Sequence, residues 1–127
     1  MRQILVVDDE IGIRELLSEI LSDEGYDVQL AENAGAARAF RSQARPDLVL
    51  LDMHLPDISG LELLRHIKQD DGIADIPVIV VSADATAQQT QAALTSGALR
   101  YITKPVDVAQ LLQIVDGVLE AAETRWG

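Results

Sequence analysis

Residues 48–60 read Leu48-Val49-Leu50-Leu51-Asp52-Met53-His54-Leu55-Pro56-Asp57-Ile58-Ser59-Gly60. Four consecutive aliphatic residues bounded by polar sequence read as a short strand covered on both faces. The run stops on an acid, and a loop containing Pro56 and Gly60 follows. Leu61, Leu64, Ile67 and Lys68 then continue as a helix to about Gln69. This is one βα unit, and the chain repeats it on both sides. Ile4-Leu5-Val6-Val7 halts at Asp8-Asp9-Glu10, and Val78-Ile79-Val80-Val81 starts from Pro77 and closes at Ser82. Asp27–Leu30 and Tyr101-Ile102 read as weaker strands.

Helical segments separate these runs. Ile13, Leu16, Leu17, Ile20 and Leu21 form one apolar face over Ile11–Glu24, and Gly25 stops that helix. Asn33 can cap an Ala-rich helix through about Ser42. Gln88–Ser96 reads as a helix ended by Gly97. A last helix after Pro105 carries Val108, Leu111, Leu112, Val115, Val118 and Leu119. Five βα units in succession predict an α/β fold, a doubly wound five-stranded parallel sheet with helices on each side. Residues 1–122 read as one domain and Glu123–Gly127, with Trp126, as a C-terminal tail.

Composition narrows the function. The chain has 127 residues, one domain's worth, with 48% hydrophobic and 24% charged residues. Aromatics make up 3%, so the core is aliphatic and platforms for stacking bases are missing. A net charge of −11 repels phosphate backbones and argues against direct nucleic-acid binding. There is no cysteine, hence no disulfide, thiolate metal site or thiol nucleophile; this fits a cytoplasmic address. No apolar stretch is long enough to span a membrane.

In open α/β sheets, ligands bind beyond the carboxyl ends of the strands. Strand 1 ends at Asp8-Asp9, strand 3 at Asp52, strand 4 at Ser82, and Lys104-Pro105 follow strand 5. Three carboxylates, a hydroxyl and an ammonium therefore converge on one edge. Two carboxylates about 5 Å apart repel by roughly 3 kcal/mol at an effective dielectric near 20. A divalent cation relieves this, and an all-oxygen donor set selects a hard ion such as Mg2+. Lys104 then offers a point charge to an anion, Ser82 a hydroxyl donor, and Asp52 a carboxylate that can accept a phosphoryl group.

Joined in this order, five pieces resemble the receiver domain of two-component response regulators over residues 2–122. They are Val6-Val7-Asp8-Asp9-Glu10, Asp47–Met53, Leu55–Gly60, Val80-Val81-Ser82-Ala83 and Tyr101-Ile102-Thr103-Lys104-Pro105. The resemblance implies the flavodoxin-like (βα)5 strand order 2-1-3-4-5. It implies Asp52 as phosphoacceptor, and Asp9, Asp52 and the His54 backbone carbonyl as Mg2+ ligands, with Asp8 acting through a metal-bound water. Lys104 would contact the phosphoryl group, Ser82 would be the switch hydroxyl, and Tyr101 the aromatic coupled to it. The Lys104–Pro105 peptide would be cis. His54 and Asp84 flank the expected phosphoryl position and would tune its lifetime. The donor would be a sensor histidine kinase or histidine phosphotransfer protein. Phosphorylation would change the surface of helix 4, strand 5 and helix 5 to control a downstream protein or an output domain. Helix 4 is polar and rich in small residues, consistent with at most a weak homodimer. Up to about Leu51 the chain looks like receivers of nitrogen-regulation-type transcription factors. From about Ala74 it looks more like receivers of hybrid kinases.

Other readings compete. A haloacid-dehalogenase-type phosphohydrolase wants an Asp-x-Asp pair with its nucleophile on strand 1, whereas here Asp8 and Asp9 are adjacent and Asp52 is on strand 3. Turnover of a separate substrate is therefore not expected. A phosphate-independent interaction module of the same fold is the alternative function. Taken singly, Asp8-Asp9-Glu10 also read as a cap for the first helix, and Gly60 as a turn or a close contact. His66 reads as a helix-surface residue.

Overall fold

Alternation within the apolar runs builds the sheet. The structure, a computed structural model, describes residues 2–41 and 43–126, with side chains described through residue 122 apart from that of Arg41. Its elements are β1 (Gln3–Val7), α1 (Ile11–Asp23), β2 (Asp27–Ala31), α2 (Ala34–Arg41), β3 (Leu48–Leu51), α3 (Gly60–Gln69), β4 (Val78–Ser82), α4 (Ala87–Thr95), β5 (Arg100–Thr103) and α5 (Val108–Trp126). All strand pairs are parallel, in the order β2-β1-β3-β4-β5. The expected doubly wound α/β fold is observed.

Successive side chains in a strand point to opposite faces. Leu5, Val7, Val49, Leu51, Val78 and Val80 face one layer with Leu63, Leu64 and Ile67 of α3. Ile4, Val6, Leu48, Leu50, Ile79 and Val81 face the other with Leu17, Leu21, Leu111, Val115 and Leu119. Every residue of β3 and β4 is buried, as their unbroken apolar runs require. Burying each such side chain contributes about 1.5–3 kcal/mol, so these two layers are the main stabilising term.

Boundaries shift where the pattern is weak. β5 gains Arg100 and Thr103, both exposed, because an edge strand alternates instead of running apolar. Leu16 is 39% exposed and does not join the α1 core face, which Leu17 and Leu21 supply. α5 continues to Trp126, past Leu119, the last buried residue among its described side chains. The expected end of the second helix near Ser42 lies outside the described residues. Among the described residues, no helix is long and apolar enough to cross a membrane.

Candidate functional site

Strand register places the acids side by side. Val7 pairs with Leu51, so the next residues, Asp8 and Asp52, leave the sheet as neighbours. The ladder runs one step further on each strand. The Asp52 N–H donates to the Val7 carbonyl at 2.9 Å, and the Asp8 N–H to the Ala31 carbonyl at 3.0 Å. Ser82 pairs with Thr103, and the Lys104 N–H donates to the Ser82 carbonyl at 2.9 Å. The Lys104–Pro105 peptide is cis.

Asp8, Asp9, Glu10 and Asp52 each offer a carboxylate oxygen within 4.8 Å of the others. Asp8 and Asp52 are buried, whereas Asp9 and Glu10 are exposed. Lys104 Nζ lies 2.8 Å from Asp8 Oδ2, 3.0 Å from Glu10 Oε1 and 3.7 Å from Asp52 Oδ2. Burial pushes the Asp52 carboxyl above the ordinary range, and the Asp8 charge adds to this; Lys104 opposes it. Burial works to lower the Lys104 ammonium, but its bonds to Asp8 and Glu10 and the Asp52 charge hold it above the usual lysine value. One atom has no partner: Asp52 Oδ1 is buried without a hydrogen bond among the described residues. A buried carboxylate oxygen left unpaired is destabilising, and it calls for a ligand. The donors around it are all hard oxygens, a set that fits a divalent cation such as Mg2+.

The acids do not cap α1 with their side chains. Glu10 occupies the cap position with no side-chain bond to the helix, and Asp8 Oδ1 instead accepts from the Glu10 N–H at 2.9 Å. Arg14 reaches back from α1 to donate to the Asp8 carbonyl at 2.7 Å. Gly60 is a close contact: a Cβ there would sit 2.1 Å from the Asp52 carbonyl oxygen and 2.6 Å from Met53 Cα.

The remaining expected site residues, Ser82, Tyr101 and His54, meet at Asp84. Ser82 is fully buried at the end of β4, and its Oγ accepts from the Asp84 N–H at 3.4 Å. The half-buried Tyr101 packs against the α2–α3–α4 core layer and donates its hydroxyl to the Asp84 carbonyl at 2.5 Å. His54 Nε2 and Asp84 Oδ2 stand 4.0 Å apart. The Thr86 N–H and hydroxyl hold the Asp84 carboxyl below the usual range. His66 is exposed on α3 beside Arg38. Glu10 was not singled out from sequence as a site residue. Its only signal was its place as third acid of the run, and its bond to Lys104 spans 94 positions.

Residues 4–116 match the response regulator receiver domain. The chain belongs to that family. This receiver domain is 37% identical over 123 residues to the DNA-binding dual master transcriptional regulator RpaA of Synechocystis sp., covering 97% of this chain and 51% of that protein. It thus spans about half the length of that relative. It is 39% identical over 113 residues to sporulation initiation phosphotransferase F of Bacillus subtilis, covering 89% of this chain and 90% of that one. A CheY-like response regulator receiver domain protein from Methanospirillum hungatei superposes with a TM-score of 0.92 at 33% identity, covering 98% of both chains. The receiver-domain family works as a signalling switch of two-component systems, and the acid cluster of this chain lies where its strands end.

Proposed function

We propose that this receiver domain accepts a phosphoryl group on Asp52 and uses it to switch its surface. The observation that supports this best is the unpartnered, buried Asp52 Oδ1, set among three further acids with Lys104 3.7 Å from its other oxygen. Asp9, Asp52 and the His54 carbonyl would hold Mg2+, with Asp8 acting through water; the cation would supply positive charge that offsets the carboxylates and the incoming phosphoryl oxygens. Asp52 attacks phosphorus, the bond from phosphorus to the donor's histidine nitrogen breaks, and the nitrogen keeps the electron pair. Lys104 pairs with a phosphoryl oxygen as charge builds there. The Ser82 hydroxyl donates to another, giving up its contact with the Asp84 N–H.

The donor is a sensor histidine kinase or a histidine phosphotransfer protein, and the domain works in the cytoplasm. Phosphorylation adds about −1.5 to −2 charge. Movement of Ser82 disturbs the Asp84 loop that Tyr101 holds, so the change passes to α4, β5 and α5, where a downstream protein or an output domain reads it. His54 and Asp84 together set how water reaches the phosphoryl group and so its lifetime.

Intact mass after incubation with a small-molecule phosphodonor and Mg2+ tests this. One added phosphoryl group, absent from Asp52→Asn and absent without Mg2+, is the expected result. No adduct, together with no binding of beryllofluoride, would overturn it in favour of a phosphate-independent interaction module.

A further inference from the structure

Asp57 lies outside the acid cluster, exposed in the loop after β3, yet its carboxylate is tied to backbone on two elements. Its Oδ1 accepts from the Ala34 N–H at 3.0 Å and from the Ile58 N–H at 3.0 Å. Its Oδ2 accepts from the Gly35 N–H at 2.8 Å. The first four N–H groups of a helix lack partners within it. In α2 the orphan N–H groups of Ala34, Gly35 and Ala36 are all satisfied by side chains outside the helix. Asn33 takes Ala36 with its side chain at 2.7 Å and Ala37 with its carbonyl at 3.2 Å. Asp57, from another element, takes the other two.

The tether also acts in the opposite direction. The loop from His54 to Ser59 is closed at its base, where the Gly60 N–H donates to the Met53 carbonyl at 2.9 Å. Leu55 and Ile58 rest half-buried on the α2–α3 core layer. Its tip is fastened to α2 by the Asp57 carboxylate. That carboxylate also faces the positive end of the α2 dipole, which favours its charged form. His54 stands at the start of this loop, three residues before the tether.

We propose that Asp57 is a positioning residue of the divalent-cation site, holding the His54 carbonyl in place beside the acids by pinning its loop to the first turn of α2. This rests on reading the acid cluster as a Mg2+ site. Outer-shell partners of metal ligands commonly set about tenfold or more in metal affinity. The α2 tether is such a partner at one remove, acting through backbone.

The test is a Mg2+ titration followed by amide NMR, on the parent, Asp57→Ala, Asp57→Ser, Asp57→Asn and Asn33→Ala. Asn33→Ala removes the side-chain cap on Ala36 but leaves the Asn33 carbonyl and the loop tether intact, so it separates helix stability from positioning. Asp57→Ala and Asp57→Ser are expected to lose about tenfold in Mg2+ affinity and to expose the Ala34 and Gly35 amides to exchange. Asp57→Asn, which keeps one acceptor oxygen, should recover most of the affinity. Asn33→Ala should bind Mg2+ as the parent does. Unchanged affinity in Asp57→Ala and Asp57→Ser, despite faster exchange at Ala34 and Gly35, would overturn the positioning role and leave a helix cap. An equal loss in Asn33→Ala would overturn it too, because α2 stability alone would then be the cause. A parent protein that does not bind Mg2+ would instead sink the metal-site reading on which the proposal stands.

Discussion

Gly60 and Asp52 touch through backbone: a Cβ on Gly60 would lie 2.1 Å from the Asp52 carbonyl oxygen. The start of α3 is thus seated directly on Asp52, the buried acid that ends β3. Neither backbone can yield without moving β3 or the loop. Gly60→Ala is expected to destabilise the domain by about 3 kcal/mol, the upper range for an overpacked core contact. Urea unfolding measures this, and an unchanged midpoint would show that the contact relaxes freely.

Asp52 is a stability liability when no cation is bound. Its carboxylate is buried, one oxygen is unpartnered, and Asp8 lies close by. In chelator, Asp52→Asn should therefore melt a few degrees higher than the parent, which for a domain of this size is roughly 1 kcal/mol. Mg2+ should reverse the order. At ten times its dissociation constant, Mg2+ stabilises the parent by about 1.4 kcal/mol and the variant by much less. Calorimetric melts with and without Mg2+ check both halves.

Lys104 is the counterweight, its side chain 8% exposed among three carboxylates. Removing one partner of a buried ion pair costs about 3 kcal/mol or more, because the other is left uncompensated. Lys104→Met should show that loss in chelator and should slow phosphoryl uptake. In an Asp52→Asn background the loss should shrink, since one of the stranded charges has gone. A full loss in both backgrounds would mean that Lys104 acts by packing and not by charge.

Tyr26 gives the domain an alkaline limit. Its hydroxyl donates to Asp116 Oδ1, joining the α1–β2 turn to α5. Burial raises the phenol from 10.0 to about 12, and the Asp116 bond and charge add to this. The folded state thus keeps its proton at pH values where the unfolded chain loses it. The resulting stability is fully present below pH 10 and is lost as pH rises toward about 12. Tyr26→Phe should lower the midpoint near neutral pH and flatten the fall in stability between pH 10 and 12. Melts across that range decide it; an equally steep fall in the variant would assign it to other groups.

Much of the site was legible because it sits at strand ends. Asp8, Asp52 and Ser82 each close an apolar run, and Lys104 follows one, so finding the strands located the residues. The cluster around Asp52 needs no long-range detail beyond a parallel sheet in the order found. Gly60 was legible as a position with a backbone reason, but not which reason. Leu16 misled because helical spacing fixes which residues share a face, not how wide the buried stripe is. β5 was read short because its exposed Arg100 and Thr103 carry no apolar signal.

By itself the sequence determined the α/β class, the five βα units, the aliphatic core and the residue types at the carboxyl edge, since periodicity and composition reflect burial and burial dominates the energy. Tertiary structure alone decided the Lys104–Glu10 pair, the Asp57 tether on α2, the Tyr26–Asp116 bond and the seating of Gly60 on Asp52. The side-chain contacts among these join positions 22 to 94 residues apart. Each depends on where whole layers come to rest, and none recurs with a period that the local sequence could display.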